Sequence, residues 1–310
     1  MKKVFIDGSA GTTGLRIKER LSARDDIELL SLPEELRKDT AARRDMLNKA
    51  DVVFLCLPDA AAIEAVSMIE NEQTTVIDTS TAHRTSAGWT YGFPELVGAS
   101  AIAASRRIAN PGCHASGFVA LVAPLVRAGL LSQSECLTVF SLTGYSGGGK
   151  QMIAQYEDKA WDELLGGPRQ YALSQAHKHL PEMAALCGLE NKPHFAPIVA
   201  DYYAGMEVTV PLFAHQIKGT VEDIVRVYKE TYKTGLVRYC DATSEGGFLS
   251  ACALAGRDDM EIYVCGNEER ISLVARFDNL GKGASGAAIQ NMNILLGVDE
   301  ATGLVIGEEI

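Results

Sequence analysis

Residues 3–21 constrain the fold more than any other stretch. Lys3-Val4-Phe5-Ile6-Asp7 has the pattern of a short apolar strand. Gly8-Ser9-Ala10-Gly11-Thr12-Thr13-Gly14 follows at once, and Leu15, Ile17 and Leu21 then recur at helical spacing among charges. Strand, glycine-rich turn and helix in that order predict the first unit of a parallel sheet. The G-x-x-G-x-x-G spacing is a relative of the dinucleotide fingerprint G-x-G-x-x-G. Small residues there let the backbone approach a pyrophosphate, whose charge rests on the helix N-terminus. A tight turn with no ligand would need the same glycines, so the context of first strand and opening helix carries the inference. Residues 8–14 are therefore candidate cofactor contacts.

The alternation continues. Ile27–Leu32, Asp51–Pro58 and Thr75–Ser80 read as strands, the second as a continuous apolar run suited to a sheet covered on both faces. Ala60–Ile69 reads as a crossover helix, and Ile102–Ala109 as a further strand. The end of the second strand carries Ser31 where an acid would hold ribose hydroxyls, with Arg37 and Lys38 close behind. An absent acid beside cations predicts a 2′-phosphate, hence NADP. The polar end of the Thr75–Ser80 strand places Ser80 near the cofactor and Arg84 where it could hold a carboxylate or phosphate. A surface ion pair is the competing reading for Arg84. Alternating strands and helices predict an α/β, Rossmann-type doubly wound parallel sheet over residues 1–112.

Asn110-Pro111-Gly112-Cys113-His114 then sets a single Cys between a Pro-Gly turn and the apolar run Gly117–Val122. Cys113 is placed at a helix N-terminus, where unpaired N–H groups and the helix dipole favour a thiolate, the nucleophilic form. A small buried structural Cys would show the same local pattern. Past it, Cys136–Leu142 reads as a strand running into the glycine-dense loop Gly144–Lys150, with Ser146 and Gly147 as cofactor contacts and Gly144 beside substrate. Met152–Leu165 reads as helical. In Ala176-His177-Lys178-His179-Leu180-Pro181-Glu182, a His steadied by Glu182 fits a general base near the Cys, and either His177 or His179 fills the role. No third ligand completes a metal set, so none is expected.

From Phe195 the pattern turns β-rich. Met206–Phe213 alternates apolar and polar, Thr220–Lys233 is an amphipathic helix capped by Thr220, and Met260–Cys265 and Arg270–Phe277 are further strands. Residues 113–284 are thus expected to form an α+β catalytic and oligomerisation domain with a mixed or antiparallel sheet. A final helix, Gly286–Leu296, carries Gln290, Asn291 and Asn293 among apolar residues, and Asn291 is a candidate cofactor contact.

Net charge of −11 argues against a nucleic-acid surface, and no apolar run approaches a membrane span. The start of the chain runs straight into a strand with no signal-peptide pattern, and seven Cys at irregular spacings favour reduced thiols, so a cytoplasmic setting is expected.

Taken together, Gly8–Gly14, Tyr91-Gly92-Phe93-Pro94-Glu95-Leu96, Asn110-Pro111-Gly112-Cys113, Gly144-Tyr145-Ser146-Gly147, His177–Glu182 and Gly283–Asn293 resemble the shorter class of N-acetyl-γ-glutamyl-phosphate reductases of arginine biosynthesis. The resemblance spans essentially the whole chain. Two positions depart from the pattern: His114 where the family usually has Tyr, and Lys178 where Arg is common. The resemblance implies a fold shared with aspartate-semialdehyde dehydrogenase, an NADPH cofactor, a cytoplasmic homo-oligomer (tetramer or dimer), and a C-terminal helix over 285–310 that returns to the nucleotide domain. It implies reductive dephosphorylation of an acyl phosphate through a Cys113 thioester, with Cys113, His177, His179 and Glu182 catalytic. Arg84, Arg107, Asn110 and Gly144 are the substrate candidates. The nearest competing readings are a dehydrogenase of aspartate semialdehyde and a reductase of a carrier-linked aminoadipyl phosphate. A non-enzymatic NADP-binding regulator makes Cys113 dispensable, and a cofactor-free Cys hydrolase leaves residues 8–14 unexplained.

Overall fold

The computed structural model describes residues 1–158, 160, 162–233, 235–241 and 245–307. Two units are distinguished by their internal contacts. The first comprises Met1–Pro111 and Ala284–Leu304, and the second comprises Gly112–Gly283 with the chain from Val305.

Among the described residues, the first unit holds six strands: β1 (Lys2–Asp7), β2 (Ile27–Leu30), β3 (Val52–Leu55), β4 (Thr75–Asp78), β5 (Thr90–Tyr91) and β6 (Arg107–Ala109). They pair in the order β2-β1-β3-β4-β6-β5, every pair parallel. Both faces are buried. On one, Val4, Ile6, Phe54, Ile77 and Ile108 pack with Ile102, Ala288, Ile289 and Met292; on the other, Phe5, Val53, Leu55 and Val76 pack with Leu47, Ala62 and Ala65. Residues from the Gly286–Leu296 helix therefore complete a core begun by β1. This is the doubly wound α/β arrangement that near-continuous apolar strands require.

The second unit contains β7 (Thr138–Gly144), β8 (Arg169–Gln170), β9 (His194–Ala200), β10 (Met206–Phe213), β11 (Val237–Tyr239), β12 (Met260–Gly266) and β13 (Arg270–Phe277). Their order is β11-β12-β13-β10-β7-β9-β8, and the sheet is mixed: β7–β9 and β11–β12 run parallel, the other pairs antiparallel. Along β10, Met206, Val208, Val210 and Leu212 are buried, while Pro211 and Phe213 are exposed. The buried side meets the Cys113–Arg127 helix. A Cβ on Gly117 would come within 2.5 Å of Val208 Cγ2, so only glycine lets this helix lie so close to β10. Tyr228 and Tyr232, from the Val221–Thr231 helix and its C-cap, donate their hydroxyls to the Leu121 and Ala120 carbonyls at 2.6 Å.

Several sequence expectations shift. Ile102–Ala109 is not one strand: Ala99–Ala104 is helical and only Arg107–Ala109 is extended. The run Ala-Ile-Ala-Ala favours a helix, and Gly98 at φ 89° starts it. The helical stretch Met152–Leu165 is two pieces, Gly149–Glu157 and a 3₁₀ turn Glu163–Gly166, the latter capped by the Asp162 side chain; residues 159 and 161 lie outside the described residues. The last helix stops at Leu296 with left-handed Gly297 as its cap, so a helix does not run through 285–310; residues 308–310 lie outside the described residues.

Candidate functional site

In the second unit, Cys113 is the first residue of the Cys113–Arg127 helix, with Gly112 as N-cap and twelve of the fifteen residues, from His114 to Leu125, buried. Ladder bonding begins with Ser116 N–H donating to Gly112 O at 2.8 Å. The first-turn N–H groups before it have no intrahelical acceptor, the feature by which helix starts attract anions. The Gly112 N–H itself donates to Glu182 Oε1 at 2.8 Å. Glu182 is buried, so this carboxylate is fixed to the turn that presents Cys113. Gly283 packs against Cys113, since a Cβ there would lie 3.1 Å from Cys113 Cβ.

Three imidazoles gather at this helix start. Ring centroids of His114 lie 5.7 Å from His177 and 5.6 Å from His179, and those of His177 and His179 are 4.7 Å apart. Phe195 on β9 sits 5.2 Å from His114 and 5.0 Å from His177 and walls the group. The His179 backbone N–H donates to His177 Nδ1 at 3.1 Å, so neutral His177 carries its proton on Nε2. His114 is held between Ser141 Oγ, 2.7 Å from Nδ1, and Tyr171 Oη, 2.6 Å from Nε2. Burial lowers the His114 pKa to about 3, with the charges of His177 and Lys178 adding to the effect; His114 is therefore neutral at ordinary pH. Burial raises the Tyr171 phenol pKa, and the Cys113 charge raises it further. Tyr171, Ser141 and Phe195 were not legible as site residues in the sequence, because each reaches the helix start from a separate strand or loop. The available signals were a Tyr six positions before His177 and a Ser at an inward position of β7.

The loop carrying these groups is strained. Ala172 and Gln175 take positive φ of 52° and 56°, and Gln175 is pinned to Phe195 by a pair of hydrogen bonds at 2.8 and 2.9 Å. Left-handed non-glycine residues are held only where the surroundings over-determine them. Also in this unit, Ser146 Oγ accepts from Asn279 Nδ2 at 3.0 Å, and Gly147 packs on the same amide. Gly144 is boxed in by the Tyr202 and Tyr203 carbonyls, 2.7 and 2.6 Å from where its Cβ would stand.

The first unit carries the other predicted residues. Gly8 has φ 90°, and a Cβ there would meet Cys56 O at 2.2 Å; a Cβ on Gly14 would meet Gly8 O at 2.5 Å. Gly11 is different, with its nearest neighbour at 3.6 Å. The protein's own packing demands the outer two glycines, and the middle one leaves room for a ligand's approach. Ser9 and Ala10, with Gly8, line a cavity of about 560 Å³ that Ser31, Arg37 and Lys38 also border. Arg37 is 3.5 Å from Glu34 and remains 40% exposed. Thr12 and Thr13 open the first helix. At the carboxyl end of β4, Ser80 Oγ donates to Asp78 at 2.7 Å, and His83 Nδ1 sits 2.6 Å from the same carboxylate.

Arg84 is buried and donates to the Asn110 and Thr79 carbonyls, each at 3.0 Å. Asn110 Nδ2 donates to Ala284 O at 3.0 Å. Asn291, fully buried, donates Nδ2 to Gly92 O and Ala287 O at 2.9 Å, and its Oδ1 has no protein partner among the described residues. Such an orphaned acceptor fits the amide of a nicotinamide. Arg107 corrects its expectation. It opens β6, and its guanidinium donates to Thr74 and Arg106 carbonyls at 3.0 Å, which puts it at the amino end of the sheet. Ligands of open parallel sheets bind at the carboxyl ends, so Arg107 is no substrate contact. Among the described residues no group of three or more His, Cys, Asp or Glu side chains is arranged to hold a metal ion, and no helix is long and apolar enough to cross a membrane.

Comparison with known proteins agrees with this geometry. Residues 3–104 match the family model "Semialdehyde dehydrogenase, NAD binding domain", and residues 113–279 match "Semialdehyde dehydrogenase, dimerisation domain". The chain is 45% identical over 305 residues to the N-acetyl-gamma-glutamyl-phosphate reductase of Rhizobium meliloti (strain 1021), covering 95% of this chain and 98% of that one. It is 45% identical over 306 residues to the enzyme of the same name from Brucella anthropi, with the same coverages. Among solved structures, aspartate semialdehyde dehydrogenase II of Vibrio cholerae aligns with a TM-score of 0.72 at 16% identity, over 96% of this chain and 98% of that one. The enzyme of Francisella tularensis gives 0.70 at 14%, over 96% and 100%. These last two likenesses speak to the fold. On the two domain matches and the curated relatives, the chain belongs to the N-acetyl-gamma-glutamyl-phosphate reductase family of semialdehyde dehydrogenases.

Proposed function

We propose that the protein reduces N-acetyl-L-glutamyl 5-phosphate to the 5-semialdehyde with release of phosphate, using NADPH. The observation that carries the reading is Cys113 at the start of a buried helix, with its turn anchored by Glu182 and three imidazoles around it. Cys113 Sγ attacks the acyl carbonyl carbon, and the carbon–oxygen bond to phosphate breaks, leaving a thioester. The helix-start N–H groups donate to the developing oxyanion. Bound NADPH supplies the hydride that reduces the thioester. The resulting thiohemiacetal oxyanion expels the Cys113 thiolate and yields the aldehyde. His177 and His179 hold the proton that moves between the thiohemiacetal oxygen and solvent.

Gly8–Gly14 would cradle the pyrophosphate, and Arg37 with Lys38 would meet a 2′-phosphate in the cavity beside Ser31. Asn291 Oδ1 would accept from the nicotinamide amide. In the first unit, Ser80 is the further cofactor candidate and Arg84 and Asn110 are the substrate candidates; in the second, Ser146 and Gly147 are the cofactor candidates and Gly144 is the substrate candidate. The protein works as a homo-oligomer, dimer or tetramer. That reading is supported by the match to a dimerisation domain and by Phe140 and Phe213, 43% and 57% exposed on the mixed sheet. All seven cysteines are outside disulfides, which suits a cytoplasmic setting.

The test is the reverse reaction: NADP⁺ reduction with phosphate and N-acetylglutamate semialdehyde, with aspartate semialdehyde in parallel and Cys113→Ser as control. Phosphate-dependent turnover of the first aldehyde alone, lost in Cys113→Ser by at least about a thousandfold, is the expected result. Turnover of the second alone would move the protein to a sister activity.

A further inference from the structure

Phe5 and Asp7 lie two residues apart on β1 and so share a face of the parallel sheet. Arg43 and Leu47, four apart on the Thr40–Lys49 helix, share its buried side. Leu47 packs in the core with Phe5, and one turn earlier Arg43 closes on Asp7. Its Nη2 donates to Asp7 Oδ2 at 2.9 Å and its Nε to the same oxygen at 3.2 Å. Both partners are buried, Arg43 8% and Asp7 5% exposed. Nη1 reaches only Glu64, at 3.4 Å, whose side chain stands mostly in solvent.

A carboxylate at this place works against the site. Asp7 ends β1 directly before Gly8, and it borders the cavity of about 560 Å³ that Gly8, Ser9 and Ala10 also line. Asp7 Oδ1 has no hydrogen-bond partner among the described residues, since both guanidinium bonds go to Oδ2. A dinucleotide entering this cavity brings phosphates of the same sign.

We propose that Arg43 neutralises Asp7 so that this cavity accepts the phosphates of a dinucleotide, which makes the Asp7–Arg43 pair an electrostatic determinant of cofactor affinity without a direct phosphate contact. The proposal rests on the reading of the cavity as the NADPH site. Arg37 and Lys38 border the same cavity as cations for a phosphate to meet. Arg43 differs from them, because its Nε and Nη2 are already committed to Asp7. Stability does not account for the pair. A buried ion pair adds little to folding over apolar residues of similar size, and this one sits at the edge of an apolar core built from Phe5, Leu47, Val53 and Leu55. Without Arg43, a full negative charge would remain beside Gly8. Without the charge of Asp7, the guanidinium would become a net cation on the cavity wall.

The experiment is calorimetric titration of NADPH into the full-length parent, Asp7→Asn, Arg43→Met and the double variant, each checked for folding by its Tm. Asparagine keeps an oxygen to accept from Arg43, so Asp7→Asn removes charge and little else. It is expected to lower Kd for NADPH by about threefold or more. Arg43→Met is expected to raise Kd by about tenfold or more, and the double variant to return to within about threefold of the parent. A pair that served folding alone would lower Tm without ordering the Kd values in this way. Arg43→Met leaves a buried carboxylate unpaired and is the variant most exposed to misfolding. If it gives no folded protein, Asp7→Asn and the double variant decide. Asp7→Asn that binds NADPH no more tightly than the parent overturns the proposal. So does a double variant that binds about tenfold more weakly than the parent, since Arg43 would then be meeting the nucleotide directly. A folded parent that binds no NADPH overturns the cofactor reading and this proposal with it, whereas a parent that binds leaves the ordering of the variants to judge the proposal alone.

Discussion

Glu182 accepts the Gly112 N–H at 2.8 Å and thereby ties the start of the Leu180–Cys187 helix to the turn that presents Cys113. Glu182→Ala would leave a buried N–H without an acceptor, at a cost of about 1–3 kcal/mol. Glu182→Gln retains an amide oxygen for the same bond. The expected outcome is a clear fall in Tm for the alanine variant and a smaller one for glutamine, read by thermal unfolding. Equal falls would show that the carboxylate's charge, and not its bond to Gly112, holds the turn.

The glycine turn separates folding from binding. Gly8→Ala places a Cβ against Cys56 O in a φ of 90°, and is expected to destabilise by at least about 3 kcal/mol. Gly11 has φ −74° and open space, so Gly11→Ala is expected to change stability by less than about 0.5 kcal/mol. Its methyl nevertheless stands where the pyrophosphate is proposed to approach. Calorimetric titration should therefore show NADPH binding weakened by about tenfold or more in a protein with parental Tm.

Arg37 lies on the rim of the cavity beside Ser31, where the 2′-phosphate is proposed to sit. An exposed charge-assisted contact of this kind is worth about 1–2 kcal/mol. Arg37→Ala should raise Kd for NADPH by about tenfold and leave that for NADH within twofold, by competition titration. A parallel loss for both nucleotides would reassign Arg37 to the turn Glu34–Leu36 that it borders.

His114 sets an acid limb. Its pKa falls from 6.5 to about 3 in the folded chain through burial, so the unfolded chain binds the extra proton between those values. Stability from this site is full above about pH 6.5 and is lost as pH falls toward 3. His114→Gln removes the linkage. Its Tm should decline less steeply than the parent's from pH 6.5 to 4, whatever the offset at pH 7. Matching slopes would mean that the ring already shares its proton in the folded state.

Periodicity made some elements legible end to end. Met206–Phe213 alternates strictly enough to give its own boundaries. Short apolar runs were ambiguous, as at Ala99–Ala109, where alanine content and a glycine start outweighed apparent strand character. The place of Cys113 at a helix start followed from Pro-Gly before an apolar run. The Ser141–His114–Tyr171 chain did not, because it joins a strand, a helix and a loop far apart in sequence. Arg107 shows the same limit: the guanidinium was visible, and which end of the sheet it occupies was set by where β6 begins.

The unit built on β1 takes Ala288, Ile289 and Met292 into its core, although residues 112–283 of the second unit intervene in the chain. During translation, the first unit therefore emerges early and waits with Ile102 and Ile108 uncovered until the last helix leaves the ribosome. A nascent chain cut short before residue 286 has Cys113 but an open first unit, and would be a substrate for chaperones and proteases.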